Sequence, residues 1–330
     1  MKAMGAAVEF VGSESGIETS LVPKAGFPLH SLPLTGLAGN PLARARAASH
    51  FLKAIRRCRR IIQRFGPGVV LGVGGYASAP AVVAARTLGV PTLLHEQNSV
   101  PGRVNRVAGR LTRETLVTFP AALDHLPDAV WVGMPTRPEF FGASRERALE
   151  GLGLEPPVVV IFGGSGGALK LNLAAVDAFR NATPYTVVQI SGRRDFPRLS
   201  TENPRHRILE YVEDIWRYLA AAELVVSRAG SGSLFDVAAV GRAAVLVPFP
   251  FSTGDHQLHN ARYFTKRGAA ELMMDAEVTA GSLKRRVEAL LDDDERRGAL
   301  ARGMAALATP GAADAVACRL LQTAGEEAWR

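Results

Sequence analysis

The chain has 330 residues, of which 47% are hydrophobic and 21% are charged, and its net charge is +8. This composition excludes disordered and collagen-like proteins and suffices for two globular domains. The only two cysteines, Cys58 and Cys318, cannot build a disulfide framework, and no cluster of residues has metal-ligand spacing. No apolar run reaches the roughly 20 residues that span a bilayer, and the first ten residues lack a signal-peptide core. We therefore expect a protein that stays in the cytoplasm.

Short β-branched runs alternate with helical patterns in the first part of the chain, as in a parallel α/β sheet. The predicted strands are 6–12, 68–75, 91–97, 114–119 and 129–133. Helical patterns fall near 42–65, 80–88 and 102–111. The alternation predicts a doubly wound domain over residues 1–137.

The same alternation restarts after residues 138–157, whose prolines, glycines and charges predict an interdomain linker. It predicts a second domain over 158–311, followed by a C-terminal helix over 312–330, which we expect to cross back to the first domain. The strands predicted in the second domain are 158–165, 185–192, 206–212, 223–230 and 243–250. Two similar α/β domains facing a cleft follow, and ligands of such sheets bind at the carboxyl ends of the strands.

Five unusual clusters lie at those carboxyl ends. They are GVGGYASAP (72–80), HEQNSVPGRVN (95–105), FGGSGGALKLN (162–172), SRAGSGSLFD (227–236) and PFPFSTGDHQLHNA (248–261). A glycine-rich turn from strand to helix offers amide donors and the positive end of a helix dipole, which favour an anion such as phosphate. One such cluster alone could be a tight turn, whereas five at corresponding ends indicate a ligand site.

The cluster SRAGSGSLFD fits a diphosphate and a ribose. Arg228 ends a strand, small residues 229–233 open a helix, and the Asp236 carboxylate can accept two hydroxyl donors. Alternatively, Ser233 caps the helix and Asp236 pairs with its dipole. Neither glycine cluster of the second domain has the GxGxxG spacing with an acid about 20 residues on, which favours a sugar nucleotide over a dinucleotide cofactor.

Four motifs, in this order, resemble those of one family: GGY (74–76), HEQN (95–98), GGSGGA (163–168) and RAGSGSLFD (228–236). This is the bacterial MurG family, the undecaprenyl-pyrophosphoryl-muramoylpentapeptide N-acetylglucosaminyltransferases of glycosyltransferase family 28. The resemblance runs from about Val8 to the C-terminal helix and implies a GT-B fold of two Rossmann-like domains. It also implies inverting transfer of N-acetylglucosamine from UDP-N-acetylglucosamine (UDP-GlcNAc) to the C4 hydroxyl of the muramoyl sugar of lipid I, without cofactor or metal. The products are lipid II and UDP.

The resemblance also implies which residues bind UDP-GlcNAc. Val212 would hold the uracil through its backbone, Asp236 the ribose and Gln257 the sugar hydroxyls, while Ser165 and the amides of 163–168 would face the diphosphate or the charge that develops in the reaction. The complete set is Asn98, Arg137, Ser165, Val212, Ser231, Gly232, Ser233, Leu234, Phe235, Asp236 and Gln257. Further family positions, with roles that the sequence does not separate, are Gly74, Gly75, Tyr76, His95, Glu96, Asn105, Gly163, Gly164, Gly166, Gly167, Asn172, Arg228 and Gly230.

Several of these residues have a simpler structural interpretation. His95 and Glu96, candidates for supporting catalysis, could be a buried pair that shapes a loop. Asn172 could make a helix-side hydrogen bond, and Arg137 could form an ion pair that links the domains. The ordered set of motifs therefore carries the functional interpretation more than any single residue.

The chain departs from the family pattern at its start. The family begins with a first strand and a GGTGGH-like loop, whose histidine is the usual candidate for the general base, whereas this chain opens at MKAMGAAVEFVG. Because the first strand is central in a sheet of order 3-2-1-4-5-6, we expect the natural protein to begin further upstream. The alternative functions are a binding-only or inactive fragment, or another GT-B enzyme that uses a UDP-sugar.

Three single residues also depart from the family pattern. They are Met134, Gly166 and Asp236, where the family usually has Asn, Gln and Glu.

The excess positive charge lies in residues 1–135, with 15 Lys+Arg against 7 Asp+Glu, whereas residues 136–330 carry 24 of each. Residues 41–64 carry eight Lys+Arg and no acid. Helical spacing predicts inward packing for Phe51, Ile55, Cys58, Ile62 and Phe65, and outer positions for Arg56, Arg57, Arg59, Arg60 and Arg64. This predicts peripheral attachment to an anionic membrane surface at its cytoplasmic face, against the alternative of a merely solvated helix. No aromatic interleaving supports nucleic acid as a partner.

Overall fold

The computed structural model describes residues 4–34, 41–164 and 166–327, with the side chains of all of these except 41–45, 76, 77, 103, 326 and 327. The chain forms two compact units. Unit 1 extends to Gly133 and resumes at Ala313, and unit 2 comprises Met134–Ala312.

Unit 1 contains two separate parallel sheets. Its elements before the crossing into unit 2 are β1 (Phe10–Ser13), α1 (Glu18–Lys24), β2 (Leu29–Leu32), α2 (Pro41–Phe65), β3 (Val70–Gly72), α3 (Gly75–Thr87), β4 (Thr92–Glu96), α4 (Arg103–Ala108), β5 (Glu114–Val117) and β6 (Ala129–Trp131). Strand β1 pairs with β2, and the other four strands form a sheet of order β3-β4-β5-β6. Among the described residues, no strand joins β1 to β3.

One packed cluster nevertheless lies across both sheets of unit 1. Val11 of β1 and Val70 of β3 pack against a core that includes Leu32, Ala54 and Cys58. Helix α3 contacts both β1 and β3. The two sheets of unit 1 therefore share one apolar core.

Unit 2 is built on one continuous parallel sheet. Its elements are α5 (Pro138–Phe141), α6 (Arg145–Leu152), β7 (Val158–Phe162), α7 (Leu169–Ala178), β8 (Thr186–Ile190), β9 (His206–Leu209), α8 (Ile215–Ala221), β10 (Leu224–Ser227), α9 (Ser231–Val240), β11 (Ala243–Leu246), α10 (His256–Thr265), β12 (Glu271–Leu272), α11 (Ala280–Leu291) and α12 (Asp294–Ala306). The order β12-β11-β10-β7-β8-β9 is the 3-2-1-4-5-6 order of a doubly wound fold. The strand order reverses between β7 and β10, which is where such sheets bind ligands.

The sequence explains why these strands lie at the centre of unit 2. The VVVIF run of β7 is buried along its whole length, as is β10, because helices cover both faces of a parallel sheet. Helix α6 begins after Ser144, whose hydroxyl accepts from the Arg147 amide, and ends at Gly153 in the left-handed conformation. The apolar faces of α7 and α11 supply Leu171 and Leu283 to the same core.

The last helix, α13 (Ala312–Glu327), packs within unit 1. Its Val316 and Leu320 lie in one cluster with Leu93 of β4 and Leu116 of β5. Arg319 forms an ion pair with Glu114 at 3.1 Å.

The observed elements differ from the predicted ones in three ways. Most predicted strands end two or more residues earlier in the structure, because the residues after them leave the sheet in turns, several of which contain glycine, and α3 already begins at Gly75. Strands β2 and β12 were not predicted, because four and two residues give no clear alternation. Residues 138–157, the predicted linker, contain α5 and α6 and belong to unit 2, because α6 packs on α8.

Candidate functional site

The turn from β7 to α7 requires glycine at two positions. A Cβ on Gly163 would lie 2.3 Å from the Ala168 Cβ, and one on Gly167 would lie 2.5 Å from the Asp195 Oδ2. Gly167 also has φ +78°, in the left-handed region. The turn therefore lies directly against the residues that follow β8. Ser165 lies outside the described residues, so its contact with a diphosphate stays a prediction.

Asn172 fastens this turn to the end of β8. Its side-chain amide donates to the Ser191 carbonyl at 2.9 Å and to the Asp195 Oδ2 at 3.0 Å, and its Oδ1 accepts from Gln189 at 3.1 Å. The side chain is fully buried. Asn172 thus positions the glycine turn through a helix-side hydrogen bond, and both of its amide hydrogens are used within the protein.

The turn from β10 to α9 lies next to the first one, since the Arg228 amide donates to the Phe162 carbonyl at 3.2 Å. Helix α9 begins at Ser231 after Gly230, and no side chain caps it. The predicted capping by Ser233 is therefore absent from the structure. The first-turn amides and the positive end of the helix dipole stay open to an anion.

The residues of this first turn and the next have different environments. Leu234 and Phe235 are buried, and the Phe235 ring packs edge to face on Phe264 with centroids 5.5 Å apart. Gly232 is exposed, whereas Ser231 is buried. In the predicted donor-binding segment 231–236, the side chains of Leu234 and Phe235 therefore pack in the core.

The Arg228 side chain is committed to the protein. Its guanidinium forms an ion pair with Asp275 at 2.7 Å and donates to the carbonyls of Val247 and Pro248 at 3.3 and 3.2 Å. Asp275 in turn lies 3.4 Å from the Lys170 ammonium of α7. Arg228 therefore holds the segment after β11 beside β10, and Asp275 connects it to the helix that follows the glycine turn.

Gln257 joins the same segment to the β10–α9 turn. Its Oε1 accepts from the amides of Ala229 and Phe249 at 3.2 and 2.9 Å. Its side-chain NH2 makes no hydrogen bond with any described residue. The Oε1 of Gln257 therefore holds the two backbone segments together, and its NH2 group is available to donate to a ligand.

Asp236 is the acid of this site without a protein partner. Its half-buried carboxyl, in the second turn of α9, makes no hydrogen bond with the described part of the chain. Burial raises the pKa of Asp236 to about 7, and the positive charge of Arg137 opposes this rise. A group that burial makes costly to ionise, and that no protein donor stabilises, is suited to accept hydrogen bonds from a ligand.

Arg137, whose charge acts on the Asp236 carboxyl, and Val212 are the two remaining predicted donor-site residues of unit 2. The Arg137 guanidinium donates to the Glu213 carbonyl at 3.4 Å and lies 5.1 Å from the centroid of the Phe140 ring. These partners belong to unit 2, as does Arg137, so these contacts do not form the domain-linking ion pair considered above. The amide and carbonyl of Val212 make no hydrogen bond with described residues, which leaves a donor and an acceptor for a ligand.

In unit 1, Glu96 organises the loop that follows β4. Its Oε1 accepts from the main-chain and side-chain nitrogens of Asn98 at 2.8 and 3.2 Å. Its Oε2 accepts from the Gly102 amide at 3.2 Å and the Asn105 side chain at 2.6 Å. The side chain is only 1% exposed. Glu96 is thus a loop-shaping residue with four donors.

Asn105 connects this loop to the start of α3. A Cβ on Gly74, which has φ +87°, would lie 2.9 Å from the Asn105 Nδ2. The next residue, Gly75, also has a positive φ of +74°. The GGY motif thus has glycine where the backbone and Asn105 require it, while the side chain of Tyr76 lies outside the described part of the structure.

His95 is buried beside Gly133. Its Nε2 lies 3.3 Å from the Gly133 carbonyl and 3.4 Å from the Thr118 hydroxyl. Burial lowers the pKa of His95, so the ring is neutral at pH 7. No hydrogen bond joins His95 to Glu96 among the described contacts, and each residue shapes the end of β4 separately.

Sequence reasoning missed the residues that support the motifs. Asp195 holds Asn172, and Asp275 pairs with Arg228. Asp195 has a recognisable signal, because it ends the SGRRD turn directly after a buried strand. Asp275 lies in a short 3-10 helix after β12 and has no such signal. In the described ranges, no group of three or more His, Cys, Asp or Glu residues is placed to hold a metal ion.

Comparisons with known proteins show the family of this chain. Residues 1–117 match the glycosyltransferase family 28 N-terminal domain, and residues 158–317 match the glycosyltransferase family 28 C-terminal domain. A protein of Rubrobacter xylanophilus named UDP-N-acetylglucosamine–N-acetylmuramyl-(pentapeptide) pyrophosphoryl-undecaprenol N-acetylglucosamine transferase is 64% identical over 99% of this chain and 98% of its own. A Desulforudis audaxviator protein of the same name is 35% identical, over 96% of this chain and 90% of its own. The crystal structure of Acinetobacter baumannii MurG is similar with a TM-score of 0.75 and 27% identity, covering 97% of this chain and 92% of that one.

Proposed function

We propose how substrates bind to this chain, which belongs to glycosyltransferase family 28 and, within it, to the UDP-N-acetylglucosamine–N-acetylmuramyl-(pentapeptide) pyrophosphoryl-undecaprenol N-acetylglucosamine transferases. It is a GT-B enzyme with two Rossmann-like domains. It transfers N-acetylglucosamine from UDP-GlcNAc to lipid I and forms lipid II for peptidoglycan synthesis.

The Asp236 carboxyl is the observation that carries the donor site. It lies at the carboxyl end of the unit 2 sheet, in the second turn of α9, whose start is uncapped, and no described residue donates to it. The ribose of UDP has two adjacent hydroxyl donors, which a carboxylate can accept together. The ribose therefore binds at Asp236, and the open amide and carbonyl of Val212 bind the uracil.

The diphosphate binds at the first turn of α9, from Ser231 to Ser233. The free amides there and the positive end of the helix dipole favour two negative phosphates. Arg228 does not reach them, since its guanidinium is held by Asp275 and two carbonyls. The side-chain NH2 of Gln257 donates to the sugar hydroxyls. Roles for Asn98, Ser165 and Arg137 in donor binding remain part of this proposal.

In the transfer, the C4 hydroxyl of the muramoyl sugar attacks the anomeric carbon in line with the departing UDP and inverts its configuration. The negative charge that develops on the leaving diphosphate is stabilised by the same helix amides, which are fixed before the reaction. Attack also requires a base for the hydroxyl proton. We assign none, because His95 is buried and bonded to Gly133, and Glu96 already accepts four hydrogen bonds.

A transfer assay with lipid I and radiolabelled donor tests this function. We expect lipid II from UDP-GlcNAc and at least tenfold less product from UDP-glucose at equal concentration. Binding of each donor is measured in parallel by calorimetry. Tight binding of UDP-GlcNAc without any transfer to lipid I, or equal transfer from both donors, would contradict the proposal.

The membrane surface of unit 1 is helix α2. Its Ala54, Cys58 and Ile62 are buried, and the helix packs on α3. Its exposed cations with described side chains are Arg46, Lys53, Arg56, Arg57, Arg60 and Arg64. Arg59, which the sequence placed with them, instead donates to the Thr87 hydroxyl at 2.6 Å. Each exposed cation contributes about 1 kcal/mol to attraction by an anionic leaflet. None of the helices in the described ranges has the length and apolarity to span a bilayer.

Vesicle sedimentation tests this surface. Changing Arg56, Arg57, Arg60 and Arg64 together to Gln should weaken binding to vesicles with 30% phosphatidylglycerol at least tenfold, because four attractive charges are lost. The control changes four exposed arginines of unit 2 to Gln, Arg180, Arg198, Arg285 and Arg302, and should retain binding. Equal binding of the wild type to neutral phosphatidylcholine vesicles would refute an electrostatic attachment.

A further inference from the structure

A second polar cavity lies in unit 2 at the amino ends of its parallel strands. Its volume is about 280 Å³, and its lining includes Arg145, Glu223, Arg242, Asp294 and Arg297. Glu223 directly precedes β10, and Arg242 directly precedes β11. The proposed donor site lies at the carboxyl ends of the same strands, so the length of α9, about 15 Å for ten residues, separates the two places.

The charges of this cavity do not balance. Arg145 forms an ion pair with Glu223, and Arg297 forms one with Asp294. Arg242 forms no ion pair with any acid in the described part of the chain. The lining therefore has three guanidinium groups against two carboxylates, an excess of one positive charge.

The unpaired guanidinium is also short of hydrogen-bond acceptors. Arg242 donates to the Ala220 carbonyl at 2.8 Å, but its buried Nε has no acceptor. Burial, together with the positive charge of nearby Arg145, lowers the pKa of Arg242, and the negative charge of Glu146 opposes this shift. A half-buried cation that forms no ion pair costs free energy, because exposed Glu146 offsets its charge only through solvent, and an anion in the cavity would recover this cost.

The backbone fixes Arg242 in this position. Helix α9 ends at Gly241, which has φ +64° and the left-handed conformation of a helix cap. A Cβ on Gly241 would lie 3.2 Å from the Ala305 Cβ of α12, so the turn is packed against that helix. The guanidinium is therefore presented at the cavity by a close-packed turn, which reduces the entropy lost on binding.

We propose that this cavity binds a phosphate group through Arg242 and Arg145, as a second ligand site apart from the donor site. The planar fork of arginine matches the oxygen spacing of phosphate. The volume of this cavity is at the lower end of the range for small-molecule pockets, which starts at about 300 Å³. A cavity of this size takes free phosphate, pyrophosphate or a small phosphate monoester, and it is too small for a nucleotide.

Calorimetric titration tests the site with the donor pocket saturated by UDP. Phosphate, pyrophosphate and glycerol 3-phosphate are the probes, and at least one should bind saturably with a 1:1 stoichiometry. Tighter binding of the free anions identifies inorganic phosphate as the source, and tighter binding of glycerol 3-phosphate identifies an ester. The absence of saturable binding by all three probes would overturn the proposal.

Charge variants locate the binding. Arg242→Gln should weaken the affinity at least tenfold, whereas Arg180→Gln, an exposed arginine elsewhere in unit 2, should leave it unchanged. Asp294→Asn should strengthen it about threefold, because it removes one of the two carboxylates. The Asp294 side chain is 88% exposed, so this variant should fold normally. A gain of affinity cannot result from misfolding, so Asp294→Asn keeps the test decisive even if Arg242→Gln unfolds. Equal affinity in Asp294→Asn, or in a folded Arg242→Gln, would refute the site.

Discussion

Glu96 and Asp236 are acids of two family motifs, one in each unit, and their surroundings are opposite. Glu96 is buried and accepts hydrogen bonds from Asn98, Gly102 and Asn105. Asp236 is half-buried, accepts none from the described residues, and burial raises its pKa to about 7. The same chemical group therefore shapes a loop in unit 1 and stays available to a ligand in unit 2.

The two sheets show a parallel difference. Unit 2 has six strands in one sheet, whereas the described strands of unit 1 form a pair and a group of four. In both units, glycines bring the strand-to-helix turn close to a polar side chain, Asn105 in unit 1 and Asp195 in unit 2. The proposed donor site of unit 2 thus differs from the motif turns of unit 1 in its polar groups that make no hydrogen bond with described residues.

The largest effect should come from Glu96→Ala. It leaves the amides of Gly102 and Asn98 and the Asn105 side chain without their acceptor, which should lower the free energy of unfolding by about 3 to 5 kcal/mol. Urea denaturation measures this change. Asp124→Ala, which removes an exposed carboxylate of unit 1, is the control and should change it by less than about 0.5 kcal/mol. A similarly small loss in Glu96→Ala would show that Glu96 does not hold the loop.

A matched glycine pair tests the turn after β7. Gly167→Ala forces a Cβ into Asp195 at a positive φ, so the KM for UDP-GlcNAc should rise at least tenfold. Gly166→Ala places a Cβ where nothing lies within 4 Å, and its KM should stay within about twofold. Steady-state kinetics on both variants decides the point. A KM within twofold of the wild-type value in Gly167→Ala would mean that the turn tolerates a side chain at this position.

The Asp236 carboxyl should be required for donor affinity and dispensable for folding. Asp236→Asn should weaken the Kd for UDP-GlcNAc about 10- to 30-fold, because a charge-assisted hydrogen bond contributes about 1.5 to 3 kcal/mol. Asp236→Glu keeps the charge and should lose less than about threefold. Calorimetry measures the affinities, and thermal unfolding without ligand should show no loss of stability in Asp236→Asn. An unchanged Kd in Asp236→Asn would remove Asp236 from the site.

The raised pKa of Asp236 predicts a smaller effect of pH. With a pKa of about 7, roughly a tenth of the carboxyl is ionised at pH 6 and roughly nine tenths at pH 8. The Kd for UDP-GlcNAc should therefore fall up to about tenfold over this range, and Asp236→Asn should abolish the change. UDP-GlcNAc is preferred to UDP here, because a terminal phosphate itself titrates near pH 6. A Kd that rises with pH would contradict the assignment.

In the protein without ligand, the raised pKa of Asp236 makes the free energy of unfolding depend on pH. The folded state keeps the Asp236 proton up to about pH 7, whereas the unfolded chain loses it near 3.8. This contribution to stability is complete below about pH 4 and is lost as the pH rises to about 7. The slope of the unfolding free energy between pH 5 and 7 should therefore become less negative in Asp236→Asn.

The sequence predicted the family, the fold class and the transfer reaction correctly, because these depend on local patterns. Runs such as VVVIF and the glycines after them mark buried strands and the turns that end them. The relatives and the GT-B neighbour confirm these three predictions. The roles of individual site residues remain predictions that the experiments above address.

What the sequence could not predict depends on contacts between distant residues. Asn172, Glu96 and Arg228 belong to motifs, but their partners are fixed only when strands align in the sheet. The place where the chain passes from one unit to the other, at Gly133, follows from the packing of α6 on α8 rather than from composition. Long-range packing therefore decides which polar motif residues stay open to a ligand.

One measurement tests the proposed donor site most directly: the backbone amide shifts of the 15N-labelled protein during titration with UDP. We expect saturable shifts at Gly164, Gly230, Ser231 and Val212, with one Kd shared by all four. UDP binding that leaves these amides unshifted and perturbs another surface would contradict it.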